Sequence, residues 1–259
     1  MNNSFSIKRF TLLFKKHSIE HAKTYLLSTT VLAGIIAVLL GFFSYSNDGR
    51  LPVQAQAVLF IYTIAGAGGI FASLSFADLG NKRKATQVLT LPASHFEKYL
   101  VAWIYSFIIY LLVFLGVFYI VDWTVIELST PPPNIKNTLL DITNFDQPAW
   151  IGFVVFALLH GFAIWGSVFF EKMHFIKTAF VFFLYMIALL LINEPLIHVV
   201  IGKKYIHGAA FGPLYFMENN QHWRIQSTAA MDIFSISVLF GIVVLFWITA
   251  FFRLKEKEI

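Results

Sequence analysis

The chain has 259 residues, 58% of them hydrophobic and only 13% charged, with 29 phenylalanines and a mean hydropathy of +0.72. A water-soluble domain of this length needs a larger charged surface, so that class is excluded. The net charge of +5 is not gathered into a basic patch with aromatic platforms, which removes nucleic acid as a partner, and the lack of cysteine removes disulfides, thiolate metal sites and a cysteine nucleophile.

In chain order, residues 4–21 come first. Ile7, Phe10, Leu13 and Phe14 share one face on a helical period, while Lys8, Lys15 and Lys16 lie opposite, with Leu12 and Ile19 among the cations. The expectation is an amphipathic helix lying on the membrane surface, the alternative being a cytoplasmic extension of the first span. Six apolar blocks follow, at 26–43, 57–76, 99–120, 151–170, 175–192 and 233–252. Each is close to the roughly 20 residues that a helix needs to cross a hydrocarbon core. The first block has no small-residue cleavage pattern and reads as a retained span rather than a signal peptide. The expected fold is therefore all-α: a single polytopic transmembrane domain of six helices.

The cations give its orientation. Lys8, Arg9, Lys15, Lys16, Lys23, Lys82, Arg83, Lys84, Lys98, Lys172, Lys177, Arg253, Lys255 and Lys257 fall on one set of alternate connections. Only Arg50, Lys136, Lys203, Lys204 and Arg224 fall on the other. Positive charge is retained inside, so both termini are expected in the cytoplasm.

The connection 77–98 reads ADLGNKRKATQVLTLPASHFEK. Gly80 can end the second span, Asn81 can cap a short basic helix over 81–89, and Pro92 stops it. Ser94 followed by Glu97 is a capping-box pattern that starts the third span. Residues 193–232 form a long connection on the opposite side, oddly apolar in Leu196–Ile201 and Ala209–Phe216. Gly208, Gly212 and Pro213 allow chain reversal there, and one or two short, partly re-entrant helices are expected, the alternative being a folded external cap resting on the membrane. Gly34, Gly41 and the Gly66, Gly68, Gly69 cluster are candidate close contacts between helices.

Chemistry-bearing residues are few. His160 lies mid-span, and a neutral histidine bonded to a neighbouring helix explains it better than a proton relay. His198, His207 and His222 do not have the spacing of a metal motif. HExxH, GxSxG and a Gly-rich loop ending in GK[ST] are all missing, so the chain is not expected to be an enzyme or to bind a cofactor or metal itself.

The layout resembles that of the membrane subunits of bacterial ABC exporters of the ABC-2 type. The local match is Lys82–Lys84, Gln87–Leu91, Pro92-Ala93-Ser94 and Glu97-Lys98, similar to a basic helix that leads through a Leu-Pro-x-Ser turn into the third span. His95 stands where that turn usually carries arginine. The resemblance implies an inner-membrane permease subunit working by alternating access. It also implies a second permease subunit, identical or paralogous, and a separate ATPase subunit that binds ATP and Mg. Asn81, Lys82, Arg83, Lys84, Gln87, Pro92, Ser94, Glu97 and Lys98 would form the coupling interface, and Gly208, Phe211, Gly212, Pro213 and Phe216 an outer gate. The alternative is a non-transporting scaffold or accessory subunit of a sensing or envelope-assembly complex.

Overall fold

The computed structural model describes residues 5–80, 85–86, 90–144, 147–170, 173–202, 206–208, 214–218, 221–225 and 228–256. Among the described residues, six helices are long and apolar enough to cross a membrane. They are α1 (Ile7–Ser46), α2 (Val53–Leu74), α3 (His95–Leu128), α4 (Ala149–Phe169), α5 (His174–Ile201) and α6 (Ala229–Glu256). The protein is a polytopic six-helix bundle. An even number of crossings puts both chain termini at one end, here called the terminal end.

The first difference from the sequence reading is α1. A surface helix over 4–21 separate from the span 26–43 was the first expectation, but Ile7–Ser46 is one continuous helix, in keeping with the alternative of an extended first span. Between them stand Ala22, Lys23, Thr24 and Tyr25, none of which breaks a helix, so nothing ends the first element before the apolar run begins. Its inward face is also shifted from the expected one. Phe10, Leu13 and Phe14 turn toward the bundle and the face continues through His17, Ser18, His21 and Tyr25, whereas Ile7 is 74% exposed.

The centre of the bundle is aromatic. Phe60 on α2 meets Phe114 and Phe118 on α3 edge-on, at centroid separations of 5.5 and 5.0 Å. Phe156 on α4 stacks on Phe107 at 5.3 Å. Phe60, Phe114, Phe118 and Phe156 are fully buried and serve the packing of the bundle centre. Helices α2 and α4 run in the same direction and approach closely at two glycines. A methyl at Gly68 would overlap the rings of Phe156 and Tyr110, and one at Gly152 would press on Phe60. Of the other expected contacts, Gly34, Gly41 and Gly66 have nothing within reach of an added methyl.

The far end is closed by folded connections. Asn137 accepts from the Leu51 N–H at 2.8 Å and donates to the Gly49 carbonyl and to Ser129 Oγ, each at 2.8 Å. Gly49 lies at φ +77° with the Thr130 carbonyl directly beneath, a place that only glycine fits.

Residues 193–232 depart from the expected short helices. Leu196–Ile201 are the last turns of α5, which runs on through Pro195 to a left-handed Gly202. Beyond it lie three antiparallel strands in sequential order: β1 (Ile206–Gly208), β2 (Leu214–Glu218) and β3 (Gln221–Ile225). Tyr215 pairs with Arg224, whose guanidinium sits 5.8 Å from the Tyr215 ring centre. Helix α5 leaves most of its apolar side chains uncovered, as a lipid-facing helix does.

Candidate functional site

The terminal end holds the densest polar organisation among the described residues, and its keystone is Glu97. Ser94 is the N-cap of α3: its Oγ accepts from the Glu97 N–H at 3.1 Å, and Glu97 Oε2 accepts from the Ser94 N–H at 2.8 Å. This is the capping box read from the sequence, now seen with a third participant. Glu97 Oε1 accepts from the Ser6 N–H at 2.7 Å and from Arg9 Nη2 at 3.0 Å and Nε at 3.3 Å. One fully buried carboxylate thus caps α3 and receives the first turn of α1, 88 residues away. Its two oxygens take four donor groups, which is how a buried charge becomes tolerable. Phe5 packs on Phe96 edge-on at 6.0 Å, and Phe96 and Tyr99 both meet Phe251 of α6, so the clasp rests on the last helix too.

Beside the clasp lies a cavity of about 560 Å³. Helix α1 contributes Lys16, His17, Glu20, His21 and Tyr25 to its wall, the end of α2 and the turn after it Phe71, Phe76 and Asp78, and α3 Lys98 and Tyr105. The rim carries both signs of charge and the floor is aromatic. The described residues include no group of three or more His, Cys, Asp or Glu side chains that could hold a metal ion.

Helix α3 changes its winding here. Ile104–Ile109 are π-helical, and a local widening of this kind redirects neighbouring side chains. Tyr105 points to α1, with its hydroxyl hydrogen-bonded to Ser18 and its ring 4.9 Å from Phe14 and 4.5 Å from His17. Ser106 turns to the opposite side and meets His160 of α4, Oγ to Nε2 at 2.9 Å. Trp247 of α6 donates its indole N–H to His160 Nδ1 at 3.0 Å. The indole has no acceptor, so Nδ1 is unprotonated and Nε2 carries the proton. Ser106 passes its own hydroxyl proton on to the Ala102 carbonyl at 2.8 Å. Both ring nitrogens are thereby committed. His160 is a neutral bolt joining α3, α4 and α6, as the sequence favoured, and not a relay.

Of the residues expected at a coupling interface, Ser94, Glu97 and Lys98 gather at the clasp and cavity, with Pro92 exposed in the turn just before them. Asn81, Lys82, Arg83, Lys84 and Gln87 lie outside the described residues. Within the expected 81–89 helix only Ala85 and Thr86 are described; both are helical, and the Thr90 N–H donates to the Thr86 carbonyl at 2.9 Å. Among the expected gate residues, Gly208 ends β1 and Phe216 lies in β2 opposite Ile206 and Trp223. Phe211, Gly212 and Pro213 lie outside the described residues. Sequence reasoning missed Arg9, His17, His21, Tyr25 and Tyr105. For all but Tyr105, which stands on α3, the signal available was recurrence with Phe10 and Phe14 on one face of an unbroken helix. Comparison with protein-family models, with curated proteins and with solved structures returns no match.

Proposed function

We propose that this chain is the membrane-spanning subunit of an ATP-driven exporter in a bacterial inner membrane, paired with a second permease subunit and powered by a separate ATPase subunit. The observation that supports this reading is the Glu97 clasp. It joins the first turn of α1, the turn after the basic 81–89 segment and the base of α3 into one unit. A push on the basic segment would reach two spans together rather than a loose loop. The adjoining cavity, with an ionisable rim and an aromatic floor, would be the place where an amphipathic cargo is first held. In this reading the terminal end faces the cytoplasm, in keeping with the cation distribution, and the strand-bearing connection with Gly208 and Phe216 narrows the opposite exit.

The experiment is co-purification from native membranes in mild detergent, followed by an ATPase assay of the complex. Recovery of a soluble P-loop ATPase, lost when Lys82, Arg83 and Lys84 are all replaced by glutamate, supports the proposal, provided that membrane insertion is intact. A complex that holds an envelope protein and no ATPase would replace it with the scaffold reading.

A further inference from the structure

The far end contains a buried polar group that nothing in the transport reading uses. Asp122, one turn and a half before the end of α3, has no exposed surface, and neither carboxylate oxygen has a hydrogen-bond partner among the described residues. The backbone N–H of Leu140 is the donor nearest to it, outside good hydrogen-bond geometry. Gln56 on α2 is equally buried. Its Nε2 donates to the Leu51 carbonyl at 3.0 Å and to the Thr138 carbonyl at 2.8 Å, while its Oε1 is left without a partner. Gln147, just before α4, has a third buried oxygen of the same kind.

Register puts the first two at one level on facing helices. Phe60 of α2 and Phe118 of α3 touch at 5.0 Å. Gln56 is four residues from Phe60 and Asp122 four from Phe118, each one helical turn toward the far end and on the same face as its phenylalanine. Both also abut one short stretch of backbone, Gln56 at Thr138 and Asp122 at Leu140. Asp141, the acid next along this stretch, is different. It is exposed and accepts from Thr143 N–H and Oγ–H at 2.9 and 2.7 Å, which holds its carboxyl below the ordinary range.

A buried carboxylate facing a single backbone N–H is costly unless a positive charge compensates it. A proton on Asp122 would supply one donor, which serves one of the remaining orphan oxygens. A hard cation can be shared by several oxygens at once, and acceptor-only oxygen sites are what such ions take. With one carboxylate and neutral amide and carbonyl oxygens, a single positive charge leaves the site neutral. We propose that Asp122 and Gln56, backed by the 138–140 backbone, form a binding site for a monovalent hard cation of the Na⁺ class. The ion would fasten the 129–148 connection over α2 and α3. This does not depend on the transport reading.

The test uses the full-length protein purified in detergent at pH 8. Thermal unfolding is followed in NaCl and in choline chloride at equal ionic strength, with KCl and CaCl₂ as further arms, and calorimetric titration with NaCl gives the affinity. The expected result is a saturable rise in Tm with Na⁺ but not choline. Asp122→Asn, which removes the charge, should lose that rise. Gln56→Met should bind Na⁺ at least about tenfold more weakly, the loss of one good oxygen ligand. Equal Tm and no titration heat in the native chain would overturn the site in favour of a protonated carboxyl. Stabilisation by Ca²⁺ alone would overturn the monovalent assignment. Undiminished Na⁺ dependence in either variant would place the ion elsewhere. If Asp122→Asn does not fold, the native chain and Gln56→Met decide alone.

Discussion

Arg9 and Glu97 are held 3.0 Å apart at the terminal end, joining the first helix to the base of the third. The carboxylate is fully buried and the guanidinium is a third exposed, so the pair is neither an ordinary surface bridge nor a fully desolvated one. Glu97→Gln should lower stability by about 2 kcal/mol, the scale of charge-assisted hydrogen bonds to a buried group. Arg9→Ala should cost less, because Ser6 and Ser94 still serve the carboxylate. The double variant should be clearly less destabilised than the sum of the two, measured by thermal unfolding in detergent. Strict additivity would mean that the two side chains do not act on each other.

The His160 bolt makes a spectroscopic prediction. The Trp247 indole and the Ser106 hydroxyl together require the tautomer with its proton on Nε2. Nitrogen chemical shifts of selectively labelled histidine should show that form alone for residue 160. Trp247→Phe strands Nδ1 and should cost on the order of 1–3 kcal/mol. A resonance from the Nδ1-protonated ring in the native chain would contradict the bonding described.

Gly68 is a packing position rather than a flexible one. Gly68→Ala places a methyl against Phe156 and Tyr110, and overpacking of this kind costs about 1–3 kcal/mol. Phe156→Leu, harmful alone because it empties part of the aromatic core, should recover part of that loss when combined with Gly68→Ala. The control is Gly34→Ala, where nothing lies within 4 Å and little change is expected. Equal effects at the two glycines would argue for backbone entropy over close contact.

Topology can be read by chemical labelling in intact cells. Single cysteines at Asn47 and Lys136, both exposed at the far end, should react with an impermeant thiol reagent. One at Ala85, in the basic connection at the terminal end, should be protected until the membrane is opened. Outside labelling at position 85 would reverse the orientation proposed from the cations.

Local rules carried much of this fold. The six apolar blocks and the Ser94–Glu97 capping box depend on neighbours a few residues apart, so they were legible. Arg9 as the third member of that box was not, because no pattern within α1 announces a partner 88 residues on. The end of the supposed surface helix was misplaced because a change from cationic to apolar composition was read as a boundary, although no glycine or proline interrupts residues 7–33. The strands were missed for the opposite reason. Leu214–Met217 alternate poorly and read as an apolar run, while the two-residue step between Glu218 and Gln221, an Asn-Asn pair, was the usable hairpin signal. Asp122 carried no local signal of burial, since the Leu140 backbone near it is 18 residues further along the chain.

The ties between α1 and α3 sit at opposite extremes of both helices. Arg9 meets Glu97 at one, and Asn137 links Gly49 to Ser129 at the other. At 1.5 Å per residue, α1 is roughly 60 Å long, about twice the thickness of a hydrocarbon core. Its length is therefore metered by its neighbour and not by the bilayer. A residue inserted into α1 between the ties would advance everything beyond it by about 1.5 Å and turn it by about 100°, so that one fastening or the other could no longer close. Length variation among natural versions of this chain should be barred from α1 and collect in the strand-bearing connection, where no such pair of fixed points encloses it.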